Sequence, residues 1–208
     1  MILYCAADPN YFNNYFELWA TQCNKFYPNH LKIVALYKPD DNTKSKCKEY
    51  NVTYRDITNY FVDNPERNHF YLLRWLFLPY DMNENILETQ INCLPIKTQI
   101  FPDIDIEQYR ISRLKRGFLG GVSAAVFTPA GAKRVVEQAK KMLPHPPEND
   151  HEMNMWQINN LKHEFIKSEQ QFKIINKKID DETCWITAGT SQHYTVEQKL
   201  EILKAYIK

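Results

Sequence analysis

The sequence predicts an α/β protein: a three-layer sandwich with helices on both faces of a mixed, mostly parallel sheet. Short apolar runs typical of buried strands alternate with stretches whose apolar residues recur at helical spacing. Pairs of a capping residue and a proline, such as Asp8-Pro9 and Thr128-Pro129, stand where helices would begin. One apolar run, residues 86–94, also carries two polar side chains near its end, which is where an α/β sheet holds a ligand.

The composition indicates one globular domain without strong electrostatic steering. A chain of 208 residues with 44% hydrophobic content can bury a sizeable core. Its 26 basic and 25 acidic side chains leave a formal charge of +1, which does not favour nucleic acid or an anionic membrane as a partner. The five scattered cysteines argue against a disulfide framework and a structural zinc site. No signal peptide or membrane span is evident, so we expect a cytoplasmic protein.

The first half of the chain has the pattern of a β-α-β opening followed by two further strands. Residues 2–6 form an apolar run, and Asp8-Pro9 then begins a helix whose apolar face extends to Phe26. Asn64-Pro65 begins another helix, which carries Arg74 and ends by Pro79. Further strands are predicted at residues 31–37, 52–57 and 86–94, and a weaker, charged helix at residues 44–50.

Gln90 and Asn92 are the polar side chains of the strand predicted at residues 86–94. Residues two apart in a strand lie on one face, so we expect both amides to point into the crevice at its carboxyl end. The alternative is that they satisfy backbone groups where the strand ends.

The second half of the chain predicts two more strands and three helices. Gly120-Gly121 leads into a strand at residues 122–127, and Thr128-Pro129 begins a helix that closes at Pro144. A helix from Asn149 or Asp150 to about residue 163, a strand at residues 172–176 and a terminal helix opened by a capping box at Thr195 complete the prediction.

Residues 71–79 and 85–92 together resemble the helix and strand of nucleotide-sugar glycosyltransferases with the GT-A fold. In that family the strand usually ends in D-x-D, which holds a divalent metal and the donor diphosphate, and the turn after the first strand holds the base. The resemblance implies a single GT-A-like domain over residues 1–208, with a nucleotide-binding half at 1–95 and an acceptor half at 96–208. The donor-binding residues it implies are Ala6, Ala7, Asp8, Arg74, Gln90, Ile91 and Asn92.

Both aspartates of the family motif are amides in this sequence. An amide offers a hard cation only a dipole, so Gln90 and Asn92 disfavour Mn²⁺ or Mg²⁺ and we expect no metal ligands there. A literal D-x-D does occur at Asp103-Ile104-Asp105. It lies in an irregular segment with no buried strand leading into it, so turn and helix-cap roles are favoured for its carboxylates.

Other residues match the family by position and carry alternative structural explanations. Asp150 and Glu152 resemble an acidic motif that contacts the transferred sugar or deprotonates the acceptor, although helix capping alone favours acids there. Arg74 corresponds to an arginine near the nucleotide-sugar; the alternatives are an internal ion pair or a side chain that reaches water. The acceptor side is expected at Gly120, Gly121, Val122 and Ser123, unless the glycines only form a bulge.

Positive charges in the second half of the chain could neutralise a diphosphate leaving group without a metal. The alternative for most of them is a solvated surface, and for the histidine a capping or loop role. The candidates are Lys97, Arg113, Lys115, Arg116 and His193.

These observations favour a small glycosyltransferase of bacterial or viral type. It would transfer a sugar from a nucleotide-sugar, with a uridine diphosphate sugar as the favoured donor, to modified DNA, a protein or a glycan. The second hypothesis, suggested by the loss of both acids, is a GT-A fold retained as a catalytically inactive binding module. A nucleotidyltransferase is a third alternative, but it normally needs a Gly-rich, basic loop after the first strand, and residues 5–9 are not one.

Overall fold

The protein is described by a computed structural model. It describes residues 1–60, 67–99, 101, 106–111, 114–115, 118–119, 124–147, 150–165, 172–174, 184–187 and 194–207. Among these residues, none of the helices combines the length and the hydrophobicity that a membrane span requires. The predicted helix start at Asn64-Pro65 lies outside the described residues.

Strands and helices alternate along the chain. The first half contains β1 (Ile2–Ala7), α1 (Pro9–Phe26), β2 (Leu31–Leu36), α2 (Asp41–Glu49), β3 (Thr53–Asp56), α3 (Arg67–Leu76) and β4 (Ile86–Thr89). Short 3₁₀ turns stand at Thr58–Tyr60 and Tyr80–Met82. The second half contains β5 (Cys93–Pro95), β6 (Gln108–Ile111), β7 (Leu114–Lys115), β8 (Phe118–Leu119), β9 (Ala124–Phe127), α4 (Pro129–Met142), α5 (Asp150–Asn160), β10 (His163–Phe165), β11 (Phe172–Ile174), β12 (Trp185–Thr187) and α6 (Val196–Tyr206).

Seven strands form the main sheet in the order β10-β6-β9-β4-β1-β2-β3. Every neighbouring pair is parallel except the two that β9 makes with β4 and β6. The predicted mixed, mostly parallel sheet is therefore confirmed, and β4 stands at its centre. A second sheet of three strands, β11-β12-β5, and a small pair, β7-β8, lie outside it.

The two faces of the main sheet bury two separate apolar clusters. On one face, Leu3 and Cys5 of β1 pack with Trp19 and other residues of α1 and with Leu203 of α6. On the other face, Ile2 and Tyr4 pack with residues of α3, α4 and α5. Because successive strand residues point to opposite faces, β1 is buried on both and its sequence is almost uniformly apolar. Helices on both faces complete the predicted three-layer sandwich.

Helix starts follow the capping residues that the sequence indicated. Asp8 Oδ1 accepts a hydrogen bond from the Tyr11 amide at 2.8 Å, and the predicted capping box of Thr195 and Gln198 is formed. The prediction for α2 was wrong by three residues, because Asp40 accepts from the Thr43 amide at 2.7 Å and starts the helix at Asp41. The predicted end of α5 was also wrong, because His163 begins a strand beside β6.

The prediction of one strand over residues 86–94 was wrong. β4 ends at Thr89, and a turn follows in which the Cys93 amide donates to the Gln90 carbonyl at 2.9 Å. The chain then leaves the main sheet, and β5 pairs antiparallel with β12. Gln90 and Asn92 therefore lie in the connection between two sheets, and their side chains do not share a strand face.

We predict that Gly131→Ala destabilises the protein, although alanine is the better helix former by up to about 1 kcal/mol. Gly131 lies in the first turn of α4, and a Cβ there would overlap the backbone oxygen of Glu107. The free energy of unfolding should fall by about 1–3 kcal/mol, as for other overpacked sites, when measured by urea denaturation. Lys133→Ala, on the exposed side of the same helix, is the control and should stay within about 0.5 kcal/mol of the unsubstituted protein.

Candidate functional site

The end of β1 and the end of β4 meet at the carboxyl edge of the main sheet. The two strands are parallel neighbours, with Tyr4 opposite Glu88. Ala6 and Gln90 each lie two residues farther along, so the structure brings them to the same height of the sheet. Asp8 then caps α1 at this edge, with one carboxylate oxygen bound to a helix amide. Ala6, Asp8 and Gln90 therefore lie at one edge of the sheet, whereas Arg74, also expected to bind the donor, is buried beside Glu88.

Two polar contacts from opposite layers hold the last two residues of β4. Glu88 points toward α3, where Arg74 Nε and Nη2 donate to its two oxygens at 2.8 and 2.7 Å. Thr89 points toward α1, and its hydroxyl accepts from Trp19 Nε1 at 3.0 Å. Both bonds are buried, so the point at which the strand turns into residues 90–92 is fixed from both sides.

The Arg74–Glu88 pair is the strongest electrostatic feature of this region. Glu88 is 0% exposed and Arg74 is 8% exposed, and the bidentate geometry satisfies both carboxylate oxygens. The guanidinium carbon also lies 4.2 Å from the ring centre of Trp75. Of the alternatives for Arg74, an internal ion pair is the one that the structure shows. Glu88 was not predicted as a site residue from the sequence, although a carboxylate in an otherwise apolar strand indicates that it needs a cationic partner such as an arginine on the covering helix.

Gln90 and Asn92 present amides at this edge. Gln90 is half-buried, Asn92 is 9% exposed, and Ile91 between them is buried. No described residue forms a hydrogen bond with either amide side chain, so within this part of the chain neither is used to satisfy a backbone group. The ligand-binding role of the two amides stays a prediction.

The donor set does not fit a divalent metal. Between residues 86 and 92 Glu88 is the one carboxylate, and both its oxygens are bound by Arg74. The described residues hold no cluster of three or more histidine, cysteine or acidic side chains that could bind a metal ion. Hard cations require several oxygen ligands, mostly anionic, and the strand end offers two neutral amides. Asp103 and Asp105 lie outside the described residues.

Of the remaining candidate site residues, some lie within the described residues and others do not. Asp150 is the first residue of α5, and Glu152 is exposed in the same turn. Lys97 is exposed just beyond β5, and Lys115 belongs to β7. The candidates that lie outside the described residues are Arg113, Arg116, Gly120, Gly121, Val122, Ser123 and His193.

A small recess beside Asp8 was not predicted from the sequence. It has a volume of about 40 Å³ and lies between the start of α1 and the loop after β2, with Pro9, Tyr37 and Lys38 in its wall. Lys38 has a positive φ of 48°, and its amide donates to the Thr58 hydroxyl at 2.8 Å. From the sequence, Tyr37 was expected to end a strand and Pro9 to begin a helix. Only the parallel pairing of β1 and β2 brings the loop after β2 next to the start of α1.

No sequence-family model matches the chain, and no curated protein matches it significantly in sequence. Solved structures do match. The galactosyltransferase LgtC, solved with donor and acceptor sugar analogues, superposes with a TM-score of 0.64 at 11% identity, covering 99% of this chain and 96% of that one. A glycosyltransferase involved in glycosylating the major capsid of PBCV-1 gives 0.61 at 8% identity, with 98% of each chain covered.

GlyE, a glycosyltransferase of Streptococcus pneumoniae, superposes with a TM-score of 0.67 at 9% identity. The match covers 99% of this chain and 60% of GlyE. The likeness to all three proteins extends over nearly the whole of this chain. The chain therefore has the GT-A glycosyltransferase fold, which confirms the resemblance seen in the sequence.

We predict that Arg74→Met lowers the free energy of unfolding by about 3–5 kcal/mol, because it leaves the buried Glu88 carboxylate without its counter-ion. The double variant Arg74→Met with Glu88→Leu should recover most of that loss, since apolar pairs often replace buried ion pairs without penalty. Urea denaturation measures both. The control is Arg55→Met, which breaks an exposed pair with Asp81 and should cost no more than about 1 kcal/mol. A single Arg74→Met variant as stable as the control would contradict a structural role for the buried pair.

Proposed function

We propose that this protein is a glycosyltransferase that transfers a sugar from a nucleotide-sugar donor to an acceptor. The observation that carries the proposal is the strand end at the centre of the GT-A fold. There, two amides that no described residue engages stand beside the turn after β1. Ligands of open α/β sheets occupy this edge, which supports a donor site here.

The donor would lie between residues 6–8 and residues 90–92. The resemblance implies that the turn at Ala6, Ala7 and Asp8 holds the base, and the recess at the start of α1 would then lie next to the base or the ribose. Gln90 and Asn92 can donate to phosphate oxygens or exchange hydrogen bonds with sugar hydroxyls. We favour a uridine diphosphate sugar as the donor, as the resemblance implied.

The diphosphate would be neutralised by side chains instead of a metal. The residues at the end of β4 do not fit Mn²⁺ or Mg²⁺. The charge of Arg74 is already paired with Glu88. Positioned cations can stabilise a leaving diphosphate directly. Lys97, exposed beyond β5, is the candidate whose side chain is described; Arg113, Lys115, Arg116 and His193 are the others.

The chemical step would use the acids at the start of α5. A carboxylate can deprotonate an acceptor hydroxyl if it lies within hydrogen-bond reach, or it can orient the transferred sugar. Asp150 and Glu152 occupy the first turn of α5 and are our candidates for these roles. The acceptor would approach from residues 96–208, with Gly120, Gly121, Val122 and Ser123 along its path; a modified DNA base, a protein or a glycan are the classes we consider.

The structure bears differently on the two alternative functions, an inactive binding module and a nucleotidyltransferase. An inactive binding module is favoured by the same pair of amides, because catalysis in this fold usually uses acids there. A nucleotidyltransferase is disfavoured, because α1 starts at Pro9 directly after the Asp8 cap and leaves no room for a phosphate-binding loop. The cytoplasmic location and the bacterial or viral origin stay predictions from the sequence.

Turnover without metal is the outcome that tests the proposal. A panel of nucleotide-sugars with mixed acceptors should give nucleotide release at the same rate in EDTA and in Mn²⁺, with a uridine donor preferred. The variant with Gln90→Asp and Asn92→Asp should bind the donor weakly in EDTA and gain affinity on adding Mn²⁺, because two carboxylates restore a hard-cation site. Calorimetry of the nucleotide diphosphate provides a readout that does not need the acceptor.

Absence of nucleotide binding in the millimolar range would reject a donor site at this edge. Binding without release from any donor would favour the inactive module. Activity lost in EDTA and regained with Mn²⁺ would reject the metal-free mechanism and return Asp103 and Asp105 to consideration as ligands.

Asp150→Asn separates a catalytic carboxylate from a structural one. Asparagine favours helix N-termini about as well as aspartate, so the melting temperature should stay nearly unchanged. The turnover rate should fall by a factor of about 10²–10⁴ if the carboxylate acts as a base. Glu152→Gln on the same turn is the matched comparison, and the acid whose loss reduces turnover is the functional one. Unchanged turnover in both variants would place the base elsewhere.

A further inference from the structure

A second cavity lies away from the carboxyl edge, on the face of the sheet covered by α3 and α4. Its volume is about 270 Å³, near the lower end of the range of small-molecule sites. Its walls come from β3, the turn Thr58–Tyr60, the end of α3, the turn Tyr80–Met82 and α4. It shares no lining residue with the crevice at residues 6–8 and 90–92 or with the recess beside Asp8.

The cavity is formed by contacts between elements that are distant in sequence. Arg55 of β3 donates through Nη2 to both oxygens of Asp81 at 3.3 and 3.4 Å, which holds the second 3₁₀ turn over the sheet. Tyr60 meets Phe77 edge to face, with ring centres 4.9 Å apart, which holds the first 3₁₀ turn against the end of α3. The cavity therefore does not depend on one loop for its shape.

Apolar and charged residues occupy different depths of this cavity. Leu76, Leu78 and Val136 are buried and form its floor. Asp81 and Lys140 are exposed and stand at the mouth, together with the partly exposed Arg55. This floor has no polar side chain that could replace the water bonds of a sugar's hydroxyls. The arrangement instead suits a ligand with an apolar body and one polar end.

The mouth also selects the sign of that polar end. Arg55 and Asp81 compensate each other, whereas no described carboxylate lies within ion-pair distance of Lys140, which leaves one positive charge. Three aromatic side chains also line the cavity: Phe77 and Tyr80, which are partly exposed, and Tyr60, which is exposed. Rings gain more from such walls than aliphatic groups of equal area do, because edge-to-face contacts add to burial.

We propose that this cavity is a binding site for a small aromatic carboxylate, whose ring fills the Leu76–Leu78–Val136 floor and whose anionic group meets Lys140 at the mouth. The site is separate from donor binding and does not rest on the proposed transferase activity. Its occupant would touch the end of α3, the helix that also carries Arg74.

Three probes test the proposal on the full chain: indole-3-acetate, indole and acetate, each titrated by calorimetry and by ligand-observed NMR. We expect saturable binding of indole-3-acetate in the range of about 0.1–3 mM, with indole at least about 5-fold weaker and acetate not detected. Lys140→Glu reverses the charge at an exposed position and should weaken indole-3-acetate about 10-fold while leaving indole unchanged. Lys141→Glu, also exposed on α4 but outside the cavity, is the matched control and should bind as the unsubstituted protein does.

Leu143→Trp adds a side chain that fills the cavity from its partly exposed rim and should abolish binding of both ring-containing probes. If that variant does not fold, the Lys140→Glu and Lys141→Glu pair decides alone. Equal affinity for indole and indole-3-acetate, equal effects of the two lysine variants, or no saturation by indole-3-acetate up to about 10 mM would each overturn the proposal.

Discussion

The packing of both helical layers on the sheet involves two buried contacts at the end of β4. This strand is the centre of the sheet and is buried on both faces, so its last residues can carry polar side chains only if each finds a partner. Arg74 from α3 binds Glu88, and Trp19 from α1 donates to Thr89. A carboxylate without a counter-ion at this depth would be strongly destabilising, which is why α3 must dock in one register on the sheet.

The same pairing explains the chemistry that the edge can support. The positions that carry acids in the family motif hold Gln90 and Asn92 here, which provide dipoles and hydrogen bonds but no charge. The nearby acid Glu88 is neutralised by Arg74 inside the protein. Under the proposed function, a diphosphate at this edge would take its positive charge from other side chains, of which Lys97 is the described candidate.

Docking of α3 has a further consequence on its outer side. Arg74 points to the sheet, whereas Leu76 and Phe77, at the end of the same helix, line the second cavity together with α4. β3 is the edge strand of the sheet, and the Arg55–Asp81 ion pair connects it to the turn Tyr80–Met82 on this side of the second cavity. The sandwich thus carries polar side chains where β4 ends and, separately, an amphipathic cavity where two helices meet an edge strand.

The sequence by itself determined the class of fold and most of its elements. Apolar runs buried on two faces identify parallel strands, and Asp8-Pro9, Thr128-Pro129 and the box at Thr195 fix helix starts, because both signals are local. The sequence also showed that amides, Gln90 and Asn92, hold the two positions where the family motif has acids. These features need only the residue and its neighbours.

Only the tertiary structure decided what the polar residues do. β4 ends at Thr89 because β5 pairs with β12 in another sheet. Residues 86–94 do not indicate this break, because their apolar run continues through both strands. The partner of Arg74 is 14 residues away, and the ring that Tyr60 meets belongs to another element. Ion pairs and cavities form between elements whose packing is fixed by burial over the whole sheet, so a local pattern indicates that a partner is needed but does not identify it.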